Sequence, residues 1–212
     1  MSTPHEQLDA LKDIKNIMER SSRFMSLSGI SGICAGCFAL VGAWFAFHQF
    51  GYRDYYDIYF DVNGVRESRS HVLLFIFLDG AAVLFTSMAS MLFFTARRAR
   101  KNKEKMIDAA AIRLLGNILI PLITGGILCI ILFIREDIAL IAPCTLIFYG
   151  LALVNGSKYS LNDIRYLGFL QIGLGLLNAW YIGYGLLFWS LGFGVLHILY
   201  GSYMWFKYER GE

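Results

Sequence analysis

Apart from tyrosines and cysteines, Asp79 and His197 are the only ionisable side chains deep inside long apolar stretches of this chain. A charged group at bilayer depth costs several kcal/mol on insertion scales, so such residues turn toward protein or water and mark ion or substrate routes. Histidine changes charge near neutral pH in response to small shifts in its surroundings. An Asp79 that titrates and a His197 that responds to it would therefore form a proton- or ion-linked site. Counting about 1.5 Å per helical residue, Asp79 lies roughly 10 Å, and His197 roughly 16 Å, from the outer ends of their stretches. Those depths allow contact if the second and sixth stretches are neighbours. Tyr149, Gln171 and Asn178 lie on other apolar stretches and can supply hydrogen bonds. The plainer alternative is a satisfied buried pair, or an Asp79 that is protonated or reaches an outer water pocket.

Other chemistry is weakly signalled. Cys34-Ala-Gly-Cys37 is a C-x-x-C, and Cys129 and Cys144 are also within apolar stretches. Redox pairs need thiolate character and access to a partner, which hydrocarbon opposes, so these read as small packing residues. His48 and His71 flank one loop and could bind a metal with Asp54 or Asp57, but a haem would need paired His ligands at suitable depth. No phosphate-binding glycine loop, H-E-x-x-H or Gly-x-Ser-x-Gly is present. No cofactor and no metal are expected. The lack of a nucleophile–base pair or metal triad weighs against an enzyme.

The elements that would position these residues are membrane helices. The chain is 57% hydrophobic and only 17% charged, with a mean hydropathy of +0.53, against about 25% charged in soluble domains. Six apolar runs, 24–47, 72–95, 112–134, 138–154, 164–182 and 186–206, are each near the roughly twenty residues that cross a hydrocarbon core of about 30 Å. Their apolarity is continuous, not alternating, which selects helices over a barrel. The expected fold is all-α, a polytopic bundle over 24–206. The fourth run is the shortest, contains Pro143, and should be tilted or irregular.

Lysine and arginine placement orients the bundle. One set of flanks holds Lys12, Lys15, Arg20, Arg23, the run from Arg97 to Lys105, Arg113, Lys158, Arg165, Lys207 and Arg210. The other holds only Arg53, Arg66, Arg69 and Arg135. This asymmetry predicts that both termini are cytoplasmic. The basic linker 96–111, read as a helical extension, abuts a helix end, so its expected partner is anionic lipid headgroups and not nucleic acid. Residues 1–23 are polar, with Leu8, Leu11, Ile14 and Met18 near helical spacing, which predicts an amphipathic surface helix and no cleaved leader. The outer loop 48–71 alternates Tyr and Asp before Asn63-Gly64, a hairpin signal. Ser160 and Asp163 look like a capping box for the fifth helix, and Gly183-Tyr184-Gly185 makes the last two helices antiparallel neighbours. Residues 207–212 form a short cytoplasmic tail.

Membrane helices associate through small residues that let backbones approach. Ser28, Gly32 and Gly36 form such a ridge on the first helix, and Gly175 and Gly194 lie on small-residue faces of the fifth and sixth. Such faces suit a compact bundle and also self-association into a homo-oligomer.

The stretches MERSSRFMSLSGISGICAG, 18–36, and LGFGVLHILYGSYMWFKY, 191–208, resemble an uncharacterised family of small bacterial six-transmembrane inner-membrane proteins. The resemblance implies a multi-pass protein of the bacterial inner membrane and carries over no functional residue. Two functional readings follow from the residues. One is a small transporter, channel or ligand-binding protein with a polar intramembrane site around Asp79 and His197. The other is a non-catalytic sensor or scaffold acting through the outer loop and the cytoplasmic linker.

Overall fold

A computed structural model describes residues 28–60, 66–101, 108–135 and 137–210. They fold as α1 (Gly29–Phe60), α2 (Arg66–Lys101), α3 (Ala109–Ile134), α4 (Ile141–Gly156), α5 (Ile164–Trp180) and α6 (Gly185–Tyr208). No strand occurs among the described residues. Helix α6 is continuous but changes pitch: α-helical over Gly185–Trp189, π-helical over Ser190–Leu196 and α-helical again over His197–Tyr208.

Five of these helices are long and apolar enough to cross a membrane: α1 through Gln49, α2 from Leu74, α3, α6, and α4 taken with its flanking 3-10 turns as Ile138–Tyr159. The fifth expected run is helical only over Ile164–Trp180, 17 residues. The fourth run is irregular at both ends, where 3-10 turns at Ile138–Leu140 and Ser157–Tyr159 bracket α4. Pro143 sits in the first turn of α4, directly after the turn Ile138–Leu140, a position where a helix tolerates proline. Large apolar side chains, Phe85 and Phe93 on α2 and Ile120 and Ile134 on α3 among them, lie on the outside. That is the inverse of a soluble protein and suits a lipid solvent.

Neighbours run antiparallel, and glycines mark their crossings. On α1 and α6, a Cβ at Gly36 would stand 2.6 Å from the Gly194 carbonyl, and one at Gly32 would stand 3.2 Å from the Gly201 Cα. Gly29 meets Gly201 in the same way, and Gly194 in turn abuts Leu40. On α4 and α5, Gly150 and Gly168 face each other, each against the other's carbonyl, and Gly175 lies on Ile147 and the Pro143 carbonyl. Helices α1, α4, α5 and α6 make the packed centre. Helix α2 packs mainly on α1, and α3 on α4. No residue in the most apolar stretch of α2 is fully buried.

Several expectations change here. The Tyr- and Asp-rich part of loop 48–71 is helical as far as Phe60, and α2 already begins at Arg66, so the alternation does not form hairpin strands there. Propagating a helix that is already nucleated adds a hydrogen bond per residue, and six alternating residues do not overturn that; the Asn63-Gly64 turn lies outside the described residues. Asp163 stands at the N-terminus of α5 but makes no capping hydrogen bond. Its carboxylate instead accepts from Lys207 Nζ at 2.6 Å and from the Tyr208 hydroxyl at 2.8 Å. A side-chain cap is seen instead on α3, where Asp108 accepts from the Ala111 N–H at 2.7 Å. The linker 96–111 is helical to Lys101 and again from Ala109. The N-terminal segment 1–23 lies outside the described residues. In the tail, Lys207 and Tyr208 finish α6 and Glu209 and Arg210 form a turn.

Candidate functional site

The polar centre of the bundle is built on a backbone irregularity. A π-helical segment over Ser190–Leu196 brings the Gly192 carbonyl to the side of α6 that faces α4 and α5. π segments in helices cluster at functional sites. Gly192 permits the approach: a Cβ there would run into Leu146 of α4 and stand 2.6 Å from Oε1 of Gln171 on α5. Two side chains donate to this carbonyl, Gln171 through Nε2 at 2.8 Å and His197 through Nδ1 at 3.0 Å.

The other ring nitrogen of His197 is 2.7 Å from the Tyr149 hydroxyl. A carbonyl only accepts, so Nδ1 carries the proton, Nε2 is the acceptor, and Tyr149 is the donor. Both ring positions are thus occupied in the neutral Nδ1–H form. Aromatic rings close around the pair: Phe193 stacks on His197 with centroids 5.9 Å apart, Tyr149 lies 5.0 Å from Phe193, and Trp189 lies 5.2 Å from Phe193. Trp189, Phe193 and His197 follow one another at intervals of four, one helical face. That spacing was visible in the sequence and was missed there.

Three polar side-chain atoms of α5 are buried with no hydrogen-bond partner: Oε1 of Gln171 and both amide atoms of Asn178. Gln171 and Asn178 are 0% and 1% exposed, and they occupy one face of α5, seven residues and therefore roughly 10 Å apart along the axis. The Tyr200 hydroxyl, near enough to both Tyr149 and Asp163 to interact electrostatically, is also buried and unpartnered. An unmatched polar atom in hydrocarbon costs several kcal/mol. Any group that paired with these atoms would have to both donate and accept hydrogen bonds.

Four of the five residues expected in the polar site, Tyr149, Gln171, Asn178 and His197, lie on the facing sides of α4, α5 and α6. Asp79 does not join them. Its carboxylate lies against Gly42 of α1, where a Cβ would stand 3.1 Å from one oxygen and 3.4 Å from the other. His197 has no free nitrogen to meet it. The intervening element is α1, which packs on α2 and α6. The four cysteines are free thiols, with Cys37 exposed on the bundle surface. Among the described residues no group of three or more His, Cys, Asp or Glu could hold a metal.

A second cluster lies where the ends of α1, α2 and α6 converge. Glu209 accepts from the Gly29 N–H, from the Ser28 hydroxyl at 3.2 Å, and from Arg98 at 3.3 Å. Arg98 also donates to the Tyr208 carbonyl at 3.2 Å. A carboxylate from the last helix thus caps the first, where the positive end of the helix dipole favours it. The sequence signal was slight: one acidic residue directly after the last apolar run, between Lys207 and Arg210.

Loss of the Tyr149 hydroxyl tests the local energetics. Tyr149→Phe would leave Nε2 of His197 buried without a donor, which costs about 1–3 kcal/mol. A drop in melting temperature in detergent is the expected result, and His197→Phe in the same background should add much less than it does alone.

No family model, curated protein or solved structure matches this chain.

Proposed function

We propose that this is a six-span protein of the bacterial inner membrane, with both termini cytoplasmic, that binds or passes a small neutral polar solute within the bundle. The site is the face formed by Tyr149, His197, Gln171 and Asn178, and Asp79 is not part of it. One observation carries the reading: the buried, unpartnered Oε1 of Gln171 and amide of Asn178 on one face of α5, where Gln171 shares the Gly192 carbonyl with a neutral His197. Buried polar groups are ordinarily satisfied, and a set left open along one helix face is a cost with a purpose. The open atoms are two acceptors, Gln171 Oε1 and Asn178 Oδ1, and one donor, Asn178 Nδ2. A guest with both functions, such as an amide, a polyol or a short file of water, matches them. The charge asymmetry of the flanks supports the orientation, and the 17 residues of α5 are at the lower limit of a spanning helix.

Asn178→Leu separates this reading from a purely structural one. Removing two unsatisfied atoms should raise the melting temperature, an increase of about 1–3 kcal/mol in stability, while ligand response disappears. The measurement is thermal denaturation in detergent against a panel of urea, formamide, glycerol and small amino acids. A member that binds the folded state raises the melting temperature of the wild type by mass action and leaves Asn178→Leu unmoved. A variant that is less stable than the wild type, with no member of the panel shifting either protein, refutes the guest site.

A further inference from the structure

Asp79 is the one carboxylate within the apolar stretches, and nothing in the polar site uses it. It lies on α2, the helix with no fully buried residue in its most apolar stretch. Counted from Val72, where the apolar run begins, Asp79 is roughly 10 Å below the end of the hydrocarbon region. Among the described residues it has neither a hydrogen-bond partner nor an ion-pair partner; its oxygens rest against Gly42 at the seam between α1 and α2 and remain partly exposed. Around that seam the two helices present exposed apolar side chains, Val41 and Phe45 on α1 and Leu78 and Phe85 on α2.

We propose that Asp79 is the pairing point for a membrane helix of a different protein, one that carries a lysine or arginine at the same depth. Charge complementarity selects the partner. An isolated carboxylate and an isolated ammonium or guanidinium are each expensive in hydrocarbon, and such groups pair with one another. Association relieves both costs at once. A second copy of this chain cannot supply the cation: its Lys and Arg residues are absent from 24–52, 70–96, 114–134, 136–157 and 166–206. Its only deep histidine has both ring nitrogens engaged. Gly42 keeps the seam shallow enough for a helix to reach the carboxylate, since any side chain there would meet Val83 and Asp79 itself. The pairing is independent of the guest site, which lies beyond α1.

The test uses the full-length protein, donor-labelled, in phosphatidylcholine vesicles with acceptor-labelled single-span Leu/Ala peptides. One peptide carries a lysine about 10 Å from its membrane end, and its twin carries alanine there. Energy transfer should report at least tenfold tighter association with the lysine peptide. That preference should vanish in Asp79→Asn and return in Asp79→Glu, with the melting temperature unchanged in both. Equal association of the two peptides with the wild type overturns the proposal without reference to any variant. So does a lysine preference that survives in Asp79→Asn, or an Asp79-dependent homodimer that excludes the peptide. Loss of the preference when phosphatidylethanolamine is added at physiological proportion assigns the carboxylate to a lipid amine and overturns the protein partner.

Discussion

Replacing Gly150 by leucine is expected to force α4 and α5 apart and to remove most of the stability of the bundle. A Cβ at this position would stand 2.6 Å from the Gly168 carbonyl oxygen and 2.9 Å from the Ile172 nitrogen. Both are backbone atoms, so no rotamer change relieves the clash. Apolar surface gains nothing by leaving lipid tails, and close backbone contact is what holds such helices together. Separation forfeits that contact along the whole α4–α5 crossing. It also draws Gln171, one turn beyond Gly168, away from the Gly192 carbonyl that it reaches at 2.8 Å. Overpacking typically costs 1–3 kcal/mol where side chains can yield; here about 3 kcal/mol or more is expected. Thermal unfolding followed by size-exclusion in detergent measures it. Gly173→Leu on the same helix is the control: a Cβ there meets nothing within 4 Å, and the change should stay within about 0.5 kcal/mol. Equal losses in the two variants would show that the crossing is not what holds α4 to α5.

Glu209→Ala carries the second large effect. Removing the carboxylate uncaps the first turn of α1 and takes from Arg98 its ion pair with Glu209, in a place where the two side chains are 10% and 12% exposed. Breaking a buried pair from one side costs more than the pair was worth, because the remaining charge is left uncompensated. About 2–3 kcal/mol is expected, with the Tyr208 carbonyl still satisfying part of the guanidinium. The double variant Glu209→Ala with Arg98→Met should recover much of the loss, since the pair is then removed from both sides. Melting temperatures of the three variants form the cycle that checks it. A double variant as unstable as the sum of the singles would place the whole effect in the lost cap and not in the broken pair.

The helical character of the long apolar runs and the close-packing positions were legible in the sequence because each follows from local physics. Run length against bilayer thickness, unbroken apolarity and glycine spacing do not depend on where neighbours sit. The ridge of Gly32 and Gly36 meets another backbone for the same reason that it could be read: only hydrogen lets two helices approach so closely. Local signals failed where a longer-range context outweighed them. The alternation through Tyr55 to Phe60 suggested strands, yet it continues α1. Ser160 and Asp163 had the spacing of a cap, yet the carboxylate of Asp163 bonds Lys207 and Tyr208.

The polar site divides along the same line. Residue chemistry and depth were enough to turn Tyr149, Gln171, Asn178 and His197 toward the bundle interior, because a polar side chain at bilayer depth must turn toward protein. Neither could say that Asp79 belongs elsewhere. Depth and helix face are one-dimensional, and the partition of Asp79 from His197 depends on α1 lying between α2 and α6. Nor could the sequence reveal the π segment that offers the Gly192 carbonyl to two side chains, since helical pitch is decided by the contacts a helix makes and not by its composition. The sequence by itself determined a helical membrane bundle and most of the residues inside it. Only the tertiary structure decided which of them meet, because adjacency among helices is a property of packing in the plane of the membrane, a direction in which a sequence carries almost no signal.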